Sequence, residues 1–276
     1  MKRNIFTVFA IFLVTLTLSC SKKQEYKVKL AEYMSPSELQ DIANGISIAY
    51  VPIGAMEWHD EHLPLGYDTI KAFELCKRIC AETGGVIFPP LYFGTHTIGV
   101  VGSMPVTPEI LENLFRSVIN NLIDQGFRII VTLTGHTPEI QMEMLIKLAL
   151  EAEAKYEYIN VISLTEGTFV YDEEIELFGH YQDHAAAGET SLFLHMRPDL
   201  VFLDRLKGPI EPKKDGIWWD PRYGTSENGA IIVELITKRS AEFILKEREK
   251  LYAAYPKTPH RIKSESSEIS IFNDFY

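Results

Sequence analysis

The feature that most constrains the fold is the alternation of short apolar runs with segments of helical length. The runs "ISIAYVPIG" (46–54), "RIIVTLT" (128–134) and "YINVISL" (158–164) are almost continuously apolar, which is typical of strands buried on both faces. The segments between them carry helix boundary signals, such as Thr107 before and Gly126 after one of them. This order predicts parallel crossovers, and therefore a three-layer α/β/α sandwich with a mostly parallel central sheet.

The bulk properties fit one globular domain with a substantial core. The chain has 276 residues, of which 46% are hydrophobic. Its formal net charge of −11 argues against nucleic acid as the main partner, because a phosphate backbone favours a basic surface.

The first twenty residues, "MKRNIFTVFAIFLVTLTLSC", have the layout of an export signal, with a basic start, an apolar stretch and a small residue before Cys20. They resemble a bacterial lipoprotein signal, in which the cysteine is lipidated. We expect an exported protein anchored by lipid at Cys20, facing the periplasm or the cell surface of a bacterium. The alternatives are an uncleaved membrane anchor and ordinary secretion with an incidental cysteine.

Domain boundaries follow from this interpretation. We expect a signal peptide over 1–19, a tether over 20–35, one domain over 36–255 and a surface extension over 256–276.

The two remaining cysteines lie four residues apart on one face of a predicted helix. We interpret Cys76 and Cys80 as small buried side chains, since the mature domain has no further cysteine to complete a metal or redox site.

The first chemical cluster is "MEWHDEHLPLGYD". Glu57 and His59 are two residues apart and point to the same side of an extended segment. Asp68 follows a turn that contains Pro64 and Gly66, so it can fold back towards them. Carboxylate and imidazole together suit Zn²⁺, Mn²⁺ or Fe²⁺. Taken alone, a charged surface loop is an equal alternative.

The second cluster, "RIIVTLTGHTPE", leads a buried strand into Gly135 and His136. Glu57 also follows a strand, and the carboxyl ends of parallel strands meet at one edge of a sheet. We therefore expect His136 near Glu57. Glu139 follows in the first turn of a helix, where the helix dipole favours it; metal ligation is the alternative.

The third cluster is "QDHAAAGETSLFLHMRP". His184 and Glu189 are separated by small residues that allow close backbone approach. Glu189 begins an apolar helix, and a buried carboxylate needs a partner charge or a metal. The alternative is again a carboxylate favoured by a helix start.

Together these motifs resemble the creatininase (creatinine amidohydrolase) family. Its Glu-x-His-Gly-x-His-Leu-Pro-Leu-x-x-Asp pattern is similar to "EWHDEHLPLGYD", and its Asn-Gly-His motif is similar to "TGH". Its His-Ala-Gly-x-x-Glu-Thr-Ser is similar to "HAAAGETS", and its Gly-x-x-x-Asp-Pro to "GIWWDP". The resemblance runs from about Val51 to Gly229.

The resemblance implies a three-layer fold and hydrolysis of a C–N bond in a small cyclic or linear amide by a metal-bridging hydroxide. It implies two divalent ions per subunit, Zn and/or Mn with Fe as a further candidate, and a homo-oligomer, often a hexamer. His184 matches a family histidine that is thought to move protons, and Asp68 would bridge the ions. The implied metal ligands are Glu57, His59, Asp68, His136 and Glu189.

This chain also departs from the family pattern. Trp58 and Asp60 replace a Gln and a Gly, and Pro138 stands where some members have a Glu ligand, so that Glu189 or Glu139 must supply the carboxylate. These departures weaken creatinine as the substrate. They leave two alternatives, a non-catalytic lipoprotein that binds a small ligand, and a metal hydrolase of a lactone or phosphoester.

Further residues are candidates for the surroundings of the site. Trp58, Trp218 and Trp219 are candidate pocket walls, although packing against the sheet or a subunit interface explains the last two equally well. His96 is a candidate substrate contact, with an exposed loop as the favoured alternative. We expect His62 to orient its loop rather than to bind metal.

Overall fold

The computed structural model describes residues 25–181, 183–208 and 220–257. Its central sheet contains four parallel strands in the order β2-β1-β3-β4. The strands are β1 (Ile48–Ile53), β2 (Val86–Ile87), β3 (Ile129–Thr134) and β4 (Asn160–Thr165). The parallel sheet that the apolar runs predict is therefore confirmed.

Helices cover both faces of this sheet. α1, α3 and α4 pack on one face, and α2, α6 and α7 pack on the other. This arrangement confirms the three-layer α/β/α sandwich. The helices are α1 (Pro36–Asn44), α2 (Tyr67–Thr83), α3 (Pro108–Asp124), α4 (Glu139–Lys155), α5 (Tyr171–Phe178), α6 (Ala187–Met196) and α7 (Ser226–Ala254). Short 3-10 helices span Ala31–Tyr33, Glu166–Phe169, Pro198–Leu200, Leu203–Arg205 and Pro221–Tyr223.

Alternate side chains of β1 enter the two cores. Ile48 and Tyr50 pack towards α2 and α7, whereas Ala49 and Val51 pack towards α3 and α4, and all four are buried. A strand with two covered faces must be apolar at every position, which explains the uninterrupted apolar run.

Prolines shorten the edge strand of the sheet. The run "VIFPPLYFG" (86–94) gives only the two-residue β2, because Pro89 and Pro90 lack the N–H that a strand needs for pairing. Helix α4 begins at Glu139, directly after Pro138.

The described part of the predicted tether lies along the outer edge of the sheet. The N–H of Tyr26 donates to the carbonyl of Ala81 (2.7 Å), and the N–H of Ile87 donates to the carbonyl of Lys29 (2.9 Å). Cys20 and the extension from residue 258 onwards lie outside the described residues. Among the helices that the structure does describe, we find none with the length and apolar character needed to cross a bilayer.

The first turn of α2 rests on the carboxyl ends of β1 and β3. A Cβ added to Gly54 would overlap the backbone nitrogen of Thr69, and one added to Gly135 would overlap the carbonyl oxygen of Asp68. Only glycine permits this approach, which brings Asp68 to the edge of the sheet where the site lies.

Candidate metal centre

The five predicted ligands converge at the carboxyl edge of the sheet, and all are buried. Glu57 follows β1, His136 follows β3, and Asp68 and Glu189 lie in the first turns of α2 and α6. They form two sets of three side chains whose ligand atoms lie within 4.8 Å of one another. We name them the first triad (Glu57, Asp68 and His136) and the second triad (His59, Asp68 and Glu189). Glu57, His59 and His184 also meet this distance criterion.

Asp68 belongs to both triads and offers one carboxylate oxygen to each. Its Oδ2 is 3.2 Å from Nδ1 of His136, and its Oδ1 is 3.2 Å from Nε2 of His59. Glu57 Oε2 completes the first triad at 3.0 Å from His136 Nδ1. Glu189 Oε2 completes the second triad at 3.5 Å from His59 Nε2. This is the arrangement expected of a bridging carboxylate.

Backbone carbonyls fix the orientation of both imidazoles. His136 Nε2 lies 2.8 Å from the carbonyl oxygen of Thr95, and His59 Nδ1 lies 3.1 Å from that of Glu57. A carbonyl oxygen only accepts, so each of these nitrogens carries the hydrogen. When such a ring binds a cation as the neutral imidazole, its other nitrogen presents its lone pair to a triad, as metal-ligating histidines do.

The nitrogen and oxygen atoms of the two triads are suited to binding cations. Within the described residues, His59 Nε2 and Asp68 Oδ2 are buried without a well-aligned hydrogen-bond partner, although both face the centre. Burial alone would lower the pKa of His59 and of His136, but the adjacent carboxylates outweigh burial and raise these pKa values to about 9 and about 10. The carboxylates therefore stabilise positive charge at this position, which two divalent ions would supply.

A loop over residues 95–103 is attached to the ligand residues. The N–H of Ile98 donates to Glu57 Oε1 at 2.5 Å, and the N–H of Trp58 donates to Ser103 Oγ at 3.0 Å. With the bond from His136 to Thr95, these contacts make the loop one wall of the site.

The triads open into a cavity of about 360 Å³. His184 lies on its wall, with its ring centroid 4.3 Å from that of His59 and its Nε2 2.8 Å from the carbonyl oxygen of Trp58. Burial, and then the charge of His59, lower the pKa of His184, so the ring is neutral at pH 7 with its hydrogen on Nε2. Four of the predicted ligands line the cavity together with five other residues: Glu57, Asp68, His136 and Glu189, with Ile98, Gly135, Thr137, Pro138 and Asp183.

Of the surrounding candidates, two lie beside the centre. His62 is fully buried behind α6, with Nε2 2.9 Å from the hydroxyl of Thr190, next to Glu189. Trp58 is half-buried and packs against Ala185 and Ala186.

Other candidates lie outside the triads. Glu139 is exposed at the start of α4, so the carboxylate in the second triad is that of Glu189. His96 is exposed, has a left-handed φ of 55°, and its Nδ1 lies 3.0 Å from the hydroxyl of the neighbouring Thr95. Trp218 and Trp219 lie outside the described residues.

The sequence prediction missed three residues with buried side chains around Glu189. Lys71 Nζ donates to Glu189 and to Glu166, and Asp183 accepts from the N–H groups of Gly188 (2.6 Å) and Glu189 (2.9 Å). The sequence does carry a signal for Glu166, because it comes directly after β4, and the predicted ligands Glu57 and His136 come within a few residues of the ends of β1 and β3.

Comparison with known proteins agrees with this geometry. The family model described as "Creatininase: Creatinine amidohydrolase" matches residues 32–244. The chain belongs to the creatininase family. The creatinine amidohydrolase of Pseudomonas putida is 28% identical over 240 residues, covering 75% of this chain and 92% of the relative. The 3-dehydro-scyllo-inosose hydrolase of Thermotoga maritima is 26% identical over 181 residues, covering 61% of this chain and 56% of the relative. This creatininase-family chain is therefore related to hydrolases with different named substrates.

Solved structures share the fold. A crystal structure of creatinine amidohydrolase superimposes with a TM-score of 0.70 at 22% identity, covering 80% of this chain and 98% of that one. A structure titled "Creatininase Mn" gives a TM-score of 0.68 at 25% identity, covering 80% and 99%. A mutant creatininase described as Zn-Zn type gives 0.70 at 22% identity, covering 80% and 99%.

Proposed function

We propose that this chain is a divalent-metal-dependent amidohydrolase that cleaves a C–N bond of a small cyclic or linear amide. The observation that carries the proposal is the pair of triads sharing Asp68, with His184 on the wall of the same cavity. Membership in a hydrolase family supports it.

The two triads would hold one ion each. When bound, two divalent ions lower the pKa of a water molecule towards neutrality and polarise a substrate carbonyl oxygen. Because similar creatininase structures are described as Zn-Zn and Mn forms, Mn²⁺ and Zn²⁺ are the first metals to test.

His184 supplies the proton transfer. The carbonyl of Trp58 holds the Nε2 hydrogen and fixes the ring, and the neutral ring keeps a lone pair on Nδ1. It can therefore take a proton from the attacking water and deliver one to the leaving nitrogen, which cannot depart as an amine anion.

The proposed substrate class is small amides in general, and not creatinine in particular. A cavity of about 360 Å³ admits a small molecule. Trp58, which holds His184, and Asp60 are the positions at which the motif differs from the family pattern.

The decisive test is an activity panel. The purified protein is stripped with a chelator, reloaded with Mn²⁺ or Zn²⁺, and assayed on lactams, formamides and linear amides, with a lactone and a phosphoester alongside. We expect metal-dependent amine release from an amide. Hydrolysis of only the lactone or only the phosphoester would contradict the amide assignment and indicate that the enzyme cleaves that bond instead. Bound metal with no turnover would favour a ligand-binding lipoprotein.

We also propose that the protein is exported, anchored by lipid at Cys20, and assembled as a homo-oligomer. The signal-like first twenty residues support export and the lipid anchor, and the family resemblance supports the homo-oligomer. The expected results are that the chain incorporates labelled fatty acid, that Cys20→Ala abolishes this incorporation, and that sedimentation gives a mass several times the 31.5 kDa of one chain. Unchanged incorporation in Cys20→Ala would contradict the lipid anchor.

A further inference from the structure

A buried ammonium lies directly behind the second triad. Lys71 is 0% exposed, and its Nζ donates to Glu189 Oε1 at 2.7 Å and to Glu166 Oε1 at 2.6 Å. It is three residues after Asp68, so the face of α2 that presents the bridging carboxylate also presents the lysine. A Cβ on Gly135 would press on Cε of Lys71 as well as on Asp68.

Both oxygens of Glu189 have fixed partners. Oε1 accepts from Lys71, while Oε2 accepts from the N–H of Ala185 at 2.8 Å and faces His59. Ala185 has a left-handed φ of 51°, a conformation that side chains other than glycine rarely adopt. The carboxylate is therefore held at both ends, and only Oε2 lies within the second triad.

Glu166 balances the charge of Lys71. An unpaired ammonium beside two divalent ions would repel them, and an unpaired buried carboxylate would be poorly solvated. Glu166 is buried at the end of β4, and Oε2, its second oxygen, has no hydrogen-bond partner within the described residues. The pair thus brings a hydrogen-bond donor to Glu189 with little change in local net charge.

We propose that Lys71 and Glu166 are positioning residues that make Glu189 a one-oxygen ligand of the second triad. This inference rests on the proposed function, because it assumes a two-ion centre. The Lys71–Glu166 pair resembles the carboxylate that lies behind a metal-binding histidine and orients its ring. A pair that only stabilised the fold would affect both triads alike.

The test measures the affinity of each ion in the folded protein by competition with a chromophoric chelator, and records the visible spectrum of the Co²⁺-loaded form. Lys71→Met combined with Glu166→Gln keeps the local net charge and removes the ammonium. We expect one of the two ions to bind roughly 10- to 100-fold more weakly, with a changed Co²⁺ spectrum, and the other to stay within about twofold.

Glu166→Gln alone is the milder variant, and it decides the question if the double variant does not fold. It keeps the shape of the residue but leaves the ammonium unbalanced, so we expect the same ion to weaken about tenfold. The matched control is Lys147→Met with Glu112→Gln, which removes a lysine–glutamate pair of 2.7 Å on the surface. We expect it to change neither affinity.

The outcomes separate the two proposals. If the unaltered protein binds no pair of ions, the proposed function fails. If it binds two ions and the Lys71 and Glu166 variants bind both as tightly, or lose both equally, only the present inference fails.

Discussion

Gly135 is the position where the smallest side chain should cause the largest local disturbance. In Gly135→Ala, the new Cβ would overlap the carbonyl oxygen of Asp68 and crowd Cε of Lys71. The first contact is with backbone, which cannot rotate away, so the first turn of α2 must move.

The size of the effect follows from the overlap. To restore an ordinary contact, the Asp68 carbonyl must retreat by about 1 Å, and overpacking of this kind destabilises a fold by about 1–3 kcal/mol. A ligand displaced by about 1 Å lowers catalytic efficiency by about 100-fold. Because Asp68 serves both triads, we expect both ions to bind more weakly.

The assay combines urea unfolding, metal affinity and amide turnover. Gly99→Ala is the matched control, since a Cβ there would meet open space. We expect the control to retain the stability and the metal affinity of the unaltered protein. The reasoning is refuted if Gly135→Ala unfolds at the same urea concentration as the unaltered protein and binds both ions with unchanged affinity.

Three further predictions concern the centre itself. Asp68→Asn removes the shared carboxylate, so metal analysis should show loss of both ions. The control Glu139→Gln, at an exposed position, should retain both ions. Full metal content in Asp68→Asn would contradict the shared site. His184→Ala should lower turnover by about 100- to 10,000-fold with unchanged metal content, and unchanged turnover would exclude its role in proton transfer. Without metal, the pKa values of His59 and His136 are raised to about 9 and about 10, so their contribution to stability is complete below about pH 6.5 and is lost as the pH rises through 9–10. Urea unfolding in EDTA should show this loss, which bound metal should suppress, and a flat profile in EDTA would contradict it.

The ligand candidates could be predicted because they follow simple positional rules. Glu57 and His136 come within a few residues of the ends of apolar runs, and the ends of parallel strands meet at one edge. Asp68 required the turn at Pro64 and Gly66, which the sequence also displays.

Lys71 could not be predicted in the same way. A lysine within a helix is normally solvated, and its burial here depends on two carboxylates that come from distant parts of the chain. The choice between Glu139 and Glu189 was likewise open, because either carboxylate suits a helix start and only tertiary packing places one of them beside His59.

The path of the chain into the domain has a consequence for orientation at a membrane. Tyr26 bonds to Ala81 near the last turn of α2, whereas Asp68 lies in its first turn, and 17 helical residues span about 25 Å. Cys20 precedes Glu25 by a stretch that covers at most about 18 Å when extended. A lipid at Cys20, as proposed, would hold the domain by the end remote from the cavity. The cavity would then open away from the bilayer, towards solutes of the aqueous compartment rather than lipids.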